Sequence, residues 1–153
     1  MPSSGVISEF QGEYRWLSNF WHTPVEYEGV VYPSAEHAYQ AAKTDSPEER
    51  RWILQSASAG LAKRRGKEVN RDLEWRARRL AVMRKVLRSK FRNPEMARKL
   101  LATGDAVLEE GNRWGDFFWG VCGGEGENHL GNLLMEIRAT LRKKRRQKKE
   151  SKP

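Results

Sequence analysis

A glycine-rich stretch near the carboxyl end of the sequence, residues 103–131, brings acidic and indole side chains close together. Three acidic residues fall within eight positions and two tryptophans stand beside them: Glu109, Glu110, Asp116, Trp114 and Trp119. Glycines let a backbone approach a ligand closely, and indoles next to carboxylates suit a sugar or a nucleobase. A surface loop with two aromatic side chains tucked beneath it has the same composition, so both interpretations stay open.

A second candidate lies on a predicted helix that begins after Ser34 and runs to about Lys43. Glu36, Gln40 and Lys43 are spaced i, i+4 and i+7, so they form one stripe on this helix, which Tyr39 flanks. The helix dipole favours the ionised form of Glu36 in the first turn. At a rise of ~1.5 Å per residue, Glu36 and Lys43 lie about 10 Å apart along the axis, which leaves room for a ligand. An ordinary solvated face would show the same pattern.

Basic residues fall inside the apolar side of a long helix predicted from about Asp72 to Lys90. That side is formed by residues at helical spacing: Leu73, Leu80, Met83 and Leu87, widened by Trp75, Val82 and Val86. Arg76, Arg79 and Lys90 lie in the same sector. Such cations either extend their stems to water or meet a buried anion, which is a protein carboxylate or a ligand phosphate.

Three asparagines offer neutral donors and acceptors suited to ribose hydroxyls: Asn19, Asn112 and Asn128. Asn19 stands among large apolar neighbours, so it needs a hydrogen-bond partner from the protein or a ligand if it is buried. Asn128 is explained equally well as the N-cap of the last helix.

The elements that must position these residues indicate an α+β fold that is predominantly helical, with a small amino-terminal antiparallel sheet. Strands are predicted at Val6–Phe10 and within Val25–Tyr32, where Glu28 and Gly29 form a tight turn. Ser46 and Glu49 form a capping box. About six helices are expected to pack against the sheet, near residues 34–43, 46–57, 59–65, 72–90, 93–103 and 128–141.

Length and charge predict one domain over residues 1–141, followed by a basic, disordered tail over residues 142–153. The tail has eight Lys or Arg and one Glu, whereas the rest of the 153 residues has 21 Lys or Arg and 19 Asp or Glu. Such a tail cannot bury enough apolar surface to fold. It would attract nucleic acid, anionic lipid or an import receptor, or be a solvated terminus without a specific role.

Several classes of protein are not expected. No stretch approaches the ~20 apolar residues of a membrane span, and the first residues show no signal-peptide core. The single cysteine, Cys122, excludes an internal disulfide and fits a reducing compartment. One cysteine and three scattered histidines give no metal-ligand spacing. We therefore expect no metal or cofactor and a cytoplasmic protein, with a nuclear location as the alternative that the basic tail raises.

Together, several motifs in order resemble the NADAR, or YbiA-like, family over residues 7–141. The motifs are LSNFW (17–21), YPSAEHAYQAAK (32–43), the long helix with Lys90-Phe91, TGD (103–105), GDFFWG (115–120) and the spaced residues from Asn128 to Arg138. Each motif alone is weak, but their joint order and spacing are specific. The loop between Asp116 and Asn128 has its own spacing, which affects substrate identity more than reaction type.

The resemblance implies an N-glycosidase that hydrolyses a ribosyl C1–N bond, most readily in phosphorylated ribosylamino-pyrimidine intermediates of the early riboflavin pathway. An alternative within the family is removal of ADP-ribose from guanine in nucleic acid, with the basic tail binding phosphates. A non-catalytic reader of ADP-ribose or NAD-like ligands is a third hypothesis. The functional residues of the family fall on Glu36, Lys43, Trp75, Asp116 and Trp119.

The chemistry needs carboxylates at a positive, oxocarbenium-like centre and a proton for the leaving nitrogen. We predict Glu36, Lys43 and Asp116 as catalytic residues, and Glu36 and Asp116 are expected to face one cleft. Lys43 either binds an oxygen of the substrate or attacks C1 as an amine, the latter requiring a pKa lowered by burial beside Arg79 or Lys90. The predicted substrate-binding residues are Asn19, Trp75, Arg79, Lys90, Asn112, Trp114, Trp119 and Asn128.

Overall fold

Helices dominate the computed structural model, which describes residues 5–151. In chain order the elements are β1 Val6–Ile7, a 3-10 helix Gly12–Leu17, β2 His22–Tyr27, β3 Val30–Ser34, α1 Ala35–Ala41, α2 Pro47–Leu54, α3 Ala59–Gly66, α4 Trp75–Lys90, α5 Pro94–Ala102, β4 Val107–Leu108, β5 Gly111–Asn112, β6 Val121–Cys122 and α6 His129–Glu150. This order confirms the predominantly helical α+β class. The chain divides into two compact units, which we name by their order in the sequence: the central unit, Ser18–Lys90, and the outer unit, Met1–Leu17 with Phe91–Pro153. A single domain over residues 1–141 stays a prediction.

The central unit contains the antiparallel hairpin of β2 and β3. Its two-residue turn, Glu28-Gly29, has φ values of 50° and 83°, as a type I′ turn requires. Alternate side chains of β2 are buried, namely Thr23, Val25 and Tyr27. The turn predicted from the sequence is therefore confirmed, and the hairpin is the small antiparallel sheet.

Serine side chains start three helices of the central unit. Ser34, Ser46 and Ser58 each accept a hydrogen bond from a backbone N–H in the first turn of α1, α2 and α3. The capping box expected at Ser46 is incomplete, because the Ser46 N–H donates to the Thr44 hydroxyl. That hydroxyl in turn donates to the Glu49 carboxylate at 2.6 Å. The predicted helix start was correct, and the predicted role of Glu49 was wrong.

The long helix α4 begins at Trp75, three residues later than predicted. Leu73, expected on its apolar side, precedes the helix and is 100% exposed. Arg76 is exposed, as a solvated cation would be. Lys90, at the other end of the helix, is completely buried. The apolar pattern therefore identified the helix but not its first turn.

In the outer unit, the TGD motif is held by two arginines of α6. Arg138 is buried and donates to the Thr103 hydroxyl and the Ala106 carbonyl, both at 2.8 Å. Arg142 donates to the Asp105 carboxylate at 3.1 Å. These bonds give the motif a structural role that the sequence did not indicate.

The short strand β1 pairs in parallel with β4, whose residues follow it by about a hundred positions. The strand predicted at residues 6–10 is therefore shorter than expected and belongs to this separate two-stranded sheet rather than to an antiparallel one. β5 and β6 form another parallel pair within the glycine-rich stretch. The pairing of β1 with β4 joins residues that are distant in the sequence, so it leaves no local signal there.

Helix α6 continues to Glu150, through most of the segment expected to be disordered. Residues 143–150 are all exposed. A helix already nucleated by packing can add turns at small cost, and Lys, Arg and Gln are good helix formers. Residues 1–4, 152 and 153 lie outside the described residues. Within residues 5–151, no helix combines the length and apolar character that crossing a membrane requires.

Candidate functional site

The predicted catalytic residue Glu36 is a buried carboxylate in the first turn of α1. It is 7% exposed, and its Oε2 accepts a 2.6 Å hydrogen bond from Nε2 of Gln40, one turn further along the helix. Its backbone N–H donates to the Asn19 carbonyl at 2.9 Å. The backbone and the side chain of Glu36 are therefore both fixed within the central unit.

Lys43 lies in the turn after α1 rather than in the helix, because α1 ends at Ala41. Burial lowers the pKa of its ammonium group, and the Glu36 carboxylate opposes this shift. Three further cations add to the lowering: Arg71, Lys63 and Lys67. A lysine with a lowered pKa has more of the neutral amine that can act as a nucleophile.

An aromatic pair stands beside this lysine. The rings of Tyr39 and Trp75 are 5.2 Å apart between centroids and inclined by 57°. Lys43 Nζ lies 5.7 Å from the centroid of the Tyr39 ring. Trp75 is only 4% exposed, so most of its ring is buried inside the central unit. Stacking of Trp75 on a substrate stays a prediction. The ring next to Lys43 is that of Tyr39, which was not among the predicted site residues.

The two cations of α4 expected to bind substrate differ in their surroundings. Arg79 is partly buried, whereas Lys90 is fully buried and donates from Nζ to the Ser18 carbonyl at 2.9 Å. Burial lowers the pKa of Lys90 to about 7. We expected these two residues to lower the pKa of Lys43, but neither is among the charges that do so. The cations nearer to Lys43 in sequence take that role.

Asn19 is buried, as its surroundings in the sequence suggested. Its carbonyl accepts from Glu36, and its Nδ2 lies 3.5 Å from the sulfur of Met83. Its Oδ1 has no hydrogen-bond partner among the described residues. A buried amide oxygen of this kind is available to a ligand donor, so binding of substrate by Asn19 stays a prediction with a structural basis.

In the outer unit, Asp116 closes a hydrogen-bonded turn in the glycine-rich stretch. Its Oδ1 accepts from the backbone N–H groups of Phe118 at 3.2 Å and Trp119 at 2.9 Å. Asn112 fixes the start of the turn, since its Oδ1 accepts from the Asp116 N–H at 3.0 Å and its Nδ2 donates to the Asp116 carbonyl at 2.9 Å. Asp116 is thus held by the main chain.

The side chains of Asn112 and Asn128 bond to the loop itself. Asn112 also donates to the Glu110 carboxylate at 3.1 Å. Asn128 accepts from the Glu110 N–H at 3.0 Å and donates to the Leu108 carbonyl at 2.9 Å. It makes no side-chain capping bond to α6, so the capping alternative was wrong. Contacts of either asparagine with ribose stay predictions.

Aromatic side chains cluster next to Asp116. The Phe118 ring lies 4.8 Å from the Trp119 ring and 4.5 Å from the His129 ring. Trp119 is partly buried, whereas Trp114 is 59% exposed. His129 was not predicted, and its only signal in the sequence is its place directly after Asn128. Its imidazole also lies 6.5 Å from the Trp119 ring, which completes the cluster.

The predicted site residues therefore form two sets. The central unit contains Asn19, Glu36, Lys43, Trp75, Arg79 and Lys90, and the outer unit contains Asn112, Trp114, Asp116, Trp119 and Asn128. That Glu36 and Asp116 face one cleft stays a prediction. Within residues 5–151, no three His, Cys, Asp or Glu side chains are grouped so that they could hold a metal ion.

A comparison with known protein families accounts for both the fold and the motifs. Residues 7–142 match the model of the NADAR domain, and the chain therefore belongs to the NADAR family. This confirms the resemblance found in the sequence.

Relatives within the family carry names that describe an activity. N-glycosidase YbiA of Escherichia coli K12 is 38% identical over 133 residues, which cover 84% of this chain and 82% of that protein. A riboflavin biosynthesis protein of Vibrio vulnificus YJ016 is also 38% identical, over 132 residues that cover 84% of this chain but 36% of the relative. The NMR structure of E. coli YbiA has a TM-score of 0.82 with 34% identity, and the match covers 95% of this chain and 89% of that one.

Membership of this family and the names of these relatives assign the chain to the N-glycosidases, which are hydrolases acting on N-glycosyl bonds. The enzyme class predicted from the sequence is thereby confirmed.

Proposed function

We propose that the enzyme hydrolyses the ribosyl C1–N bond of a phosphorylated ribosylamino-pyrimidine, an intermediate of the early riboflavin pathway. The name of the Vibrio relative supports this substrate class. The observation that carries the proposal is the buried Glu36 carboxylate that acts electrostatically on Lys43, whose pKa is lowered by burial. A carboxylate and an activated amine in one protected region suit a reaction at an electrophilic sugar carbon.

Two carboxylates share the remaining chemistry in this proposal. As the C1–N bond breaks, positive charge develops at C1 and the ring oxygen, and a fixed carboxylate stabilises it. The leaving nitrogen takes a proton from a general acid. Glu36 and Asp116 fill these roles, and either order of acid and base is compatible with their surroundings.

Lys43 has two candidate roles. As a cation it binds a phosphate or sugar oxygen. As a neutral amine its lone pair forms a bond to C1 while the C1–N electron pair leaves with the base, which is protonated. Breaking the C1 bond to the ring oxygen, which takes up a proton, then gives a Schiff base that water hydrolyses to free ribose phosphate. Borohydride reduction during turnover, followed by mass spectrometry, should show an adduct on Lys43, and its absence would leave only the binding role.

Cations near Lys43 support a phosphorylated substrate. The charges of Lys63, Lys67 and Arg71 act on Lys43, and all three side chains are exposed. A phosphate monoester of −1.5 to −2 charge would offset their mutual repulsion. We assign phosphate attraction to this group rather than to Arg79 or Lys90.

The test is incubation of the purified chain with ribosylamino-pyrimidine phosphates, with detection of the released base and of free ribose phosphate. The dephosphorylated riboside is the matched control, and we expect its kcat/KM to be lower. An unchanged rate of base release with and without the enzyme would contradict the proposal.

A second candidate function is removal of ADP-ribose from guanine in nucleic acid. The observation that favours it is the exposed end of α6, where Lys143, Lys144, Arg145, Arg146, Lys148 and Lys149 form successive basic turns. This segment has no apolar face, which an interfacial membrane helix would need, so phosphate backbones suit it better than lipid. Cations on such a helix release counterions from nucleic acid, and the resulting affinity falls with salt.

Changing these six residues to glutamine separates the two candidates. If nucleic acid is the substrate, release of ADP-ribose from a modified oligonucleotide should fall and lose its salt dependence. Turnover of the small riboside should be unchanged in the same variant. If release of ADP-ribose by this variant keeps the salt dependence of the natural protein, the second candidate is excluded.

A further inference from the structure

We infer that Gln40 is a positioning residue for Glu36 and that Gly66 provides the space that the Gln40 side chain needs for this. The inference rests on the proposed catalytic role of Glu36. Gln40 is 4% exposed, and its Nε2 donates to Glu36 Oε2 at 2.6 Å. A hydrogen bond this short to a carboxylate has the geometry of a charge-assisted bond. It holds the Oε2 atom of the carboxylate in place.

Gly66, at the end of α3, touches the other side of the same amide. A Cβ at this position would lie 1.9 Å from Gln40 Oε1, 2.6 Å from Cδ and 3.1 Å from Cβ of that glutamine. Gly66 has helical backbone and is not among the glycines with positive φ. The backbone would therefore accept alanine, and the conflict is with the Gln40 side chain. Gly60 of the same helix differs, since its nearest contact would be 3.9 Å away.

The Gln40 amide is unfavourable for stability alone. Its Oε1 is buried and has no hydrogen-bond partner among the described residues. An unpaired buried carbonyl oxygen is costly, and methionine would fill a similar volume without it. The amide is therefore explained by what its Nε2 does for Glu36.

The Nε2 donor favours the ionised form of Glu36. Its loss should move the titration of Glu36 to higher pH, whether Glu36 acts as acid or as base. Helix α1 packs against α2, α3, α4 and the hairpin. The test leaves the charged and titratable groups of these elements unaltered, among them Lys43 with Lys63, Lys67 and Arg71 around it, His22 beside His37, Lys90, Glu49 and Arg50 of α2, and Arg79 of α4.

The first test is Gln40→Met, compared with Gln55→Met, a change of the same type at an exposed position. We expect the limb of the pH–kcat/KM profile that reports Glu36 to move to higher pH, and the midpoint of the Glu36 carboxyl carbon followed by NMR to move with it. Gln40→Leu is the second variant if the methionine form folds poorly. An unchanged midpoint in a folded variant would overturn the inference.

The second test is a double-mutant cycle. Gly66→Ala should lower kcat/KM roughly tenfold in the natural background. Combined with Gln40→Ala, it should have a much smaller further effect, because the amide atoms at 1.9 and 2.6 Å are then absent and only the 3.1 Å contact with Cβ remains. Gly60→Ala is the matched control and should be neutral. Equal losses from Gly66→Ala in both backgrounds would show that Gly66 acts independently of Gln40 and would overturn its assigned role.

Glu36→Gln separates this inference from the proposed function. If Glu36→Gln abolishes turnover while Gln40→Met leaves the profile and the NMR midpoint unchanged, only the inference fails. If Glu36→Gln leaves turnover intact, the catalytic role of Glu36 fails and the inference fails with it.

Discussion

The two proposed catalytic carboxylates are held in different ways. Glu36 of the central unit accepts a bond from the side chain of Gln40. Asp116 of the outer unit receives two bonds from the main chain, at Phe118 and Trp119. A side-chain donor can be changed by one substitution, whereas main-chain donors change only if the turn changes shape. The contact of Glu36 with Gln40 can therefore be removed by one substitution, whereas the main-chain contacts of Asp116 are protected by its loop.

The two units also differ in how a buried cation responds to pH. Lys90 in the central unit and Arg138 in the outer unit are both buried cations that bond to main-chain carbonyls. Burial lowers the pKa of Lys90 to about 7. Burial also lowers the pKa of Arg138. A guanidinium nevertheless stays charged at all ordinary pH values. Of these two cations, only Lys90 of the central unit changes its charge near neutral pH.

The largest expected effect comes from neutralising either carboxylate without disturbing its surroundings. Glu36→Gln keeps an oxygen that accepts from Gln40, and Asp116→Asn keeps an oxygen that accepts from the turn. We expect each to lower kcat by about 10²–10⁴ while the thermal melting curve stays unchanged. Turnover of the riboside measures the first and circular dichroism the second. A variant that keeps most of its kcat would remove that carboxylate from the proposed chemistry.

The second expected effect is on stability and concerns Lys90. Between pH 7 and 10.5 the unfolded chain binds the lysine proton and the folded chain does not, so this group makes stability rise with pH across the window. Lys90→Met should remove that rise, which amounts to at most about 5 kcal/mol for a pKa lowered from 10.5 to about 7 at ~1.4 kcal/mol per pKa unit. Urea unfolding at several pH values measures it. Lys85→Met, at an exposed position of the same helix, is the control and should keep the natural slope; the same slope in Lys90→Met would contradict the predicted titration.

Local signals explain why much of the fold was predictable. Ser34 and Ser46 cap the helices that they were expected to start, and Glu28-Gly29 forms the expected turn. Such residues act within three or four positions of themselves, so one sequence suffices to recognise them. The family motifs likewise identified the enzyme class, since they are read residue by residue.

Long-range contacts explain what was missed. The parallel pairing of β1 with β4 and the bond from Lys90 to Ser18 join residues that are far apart in the chain. The role of Gln40 depends on Gly66, which lies on another helix, so spacing along α1 showed the stripe without showing which member orients another. The predicted catalytic and binding roles stay hypotheses that kinetics must test.

The smallest of these effects tests whether the loop protects Asp116. Asn112→Ala removes both side-chain bonds that shape the turn and should cost about 1–3 kcal/mol of unfolding free energy. Because Asp116 then loses its fixed orientation, kcat should fall, while the NMR titration of Glu36 should be unaffected. Asn132→Ala, at an exposed position of α6, is the control and should stay within about 0.5 kcal/mol of the natural protein. Urea unfolding and turnover measure the pair. An Asn112→Ala variant with natural kcat would mean that the main-chain donors alone hold Asp116 and would contradict the predicted role of Asn112.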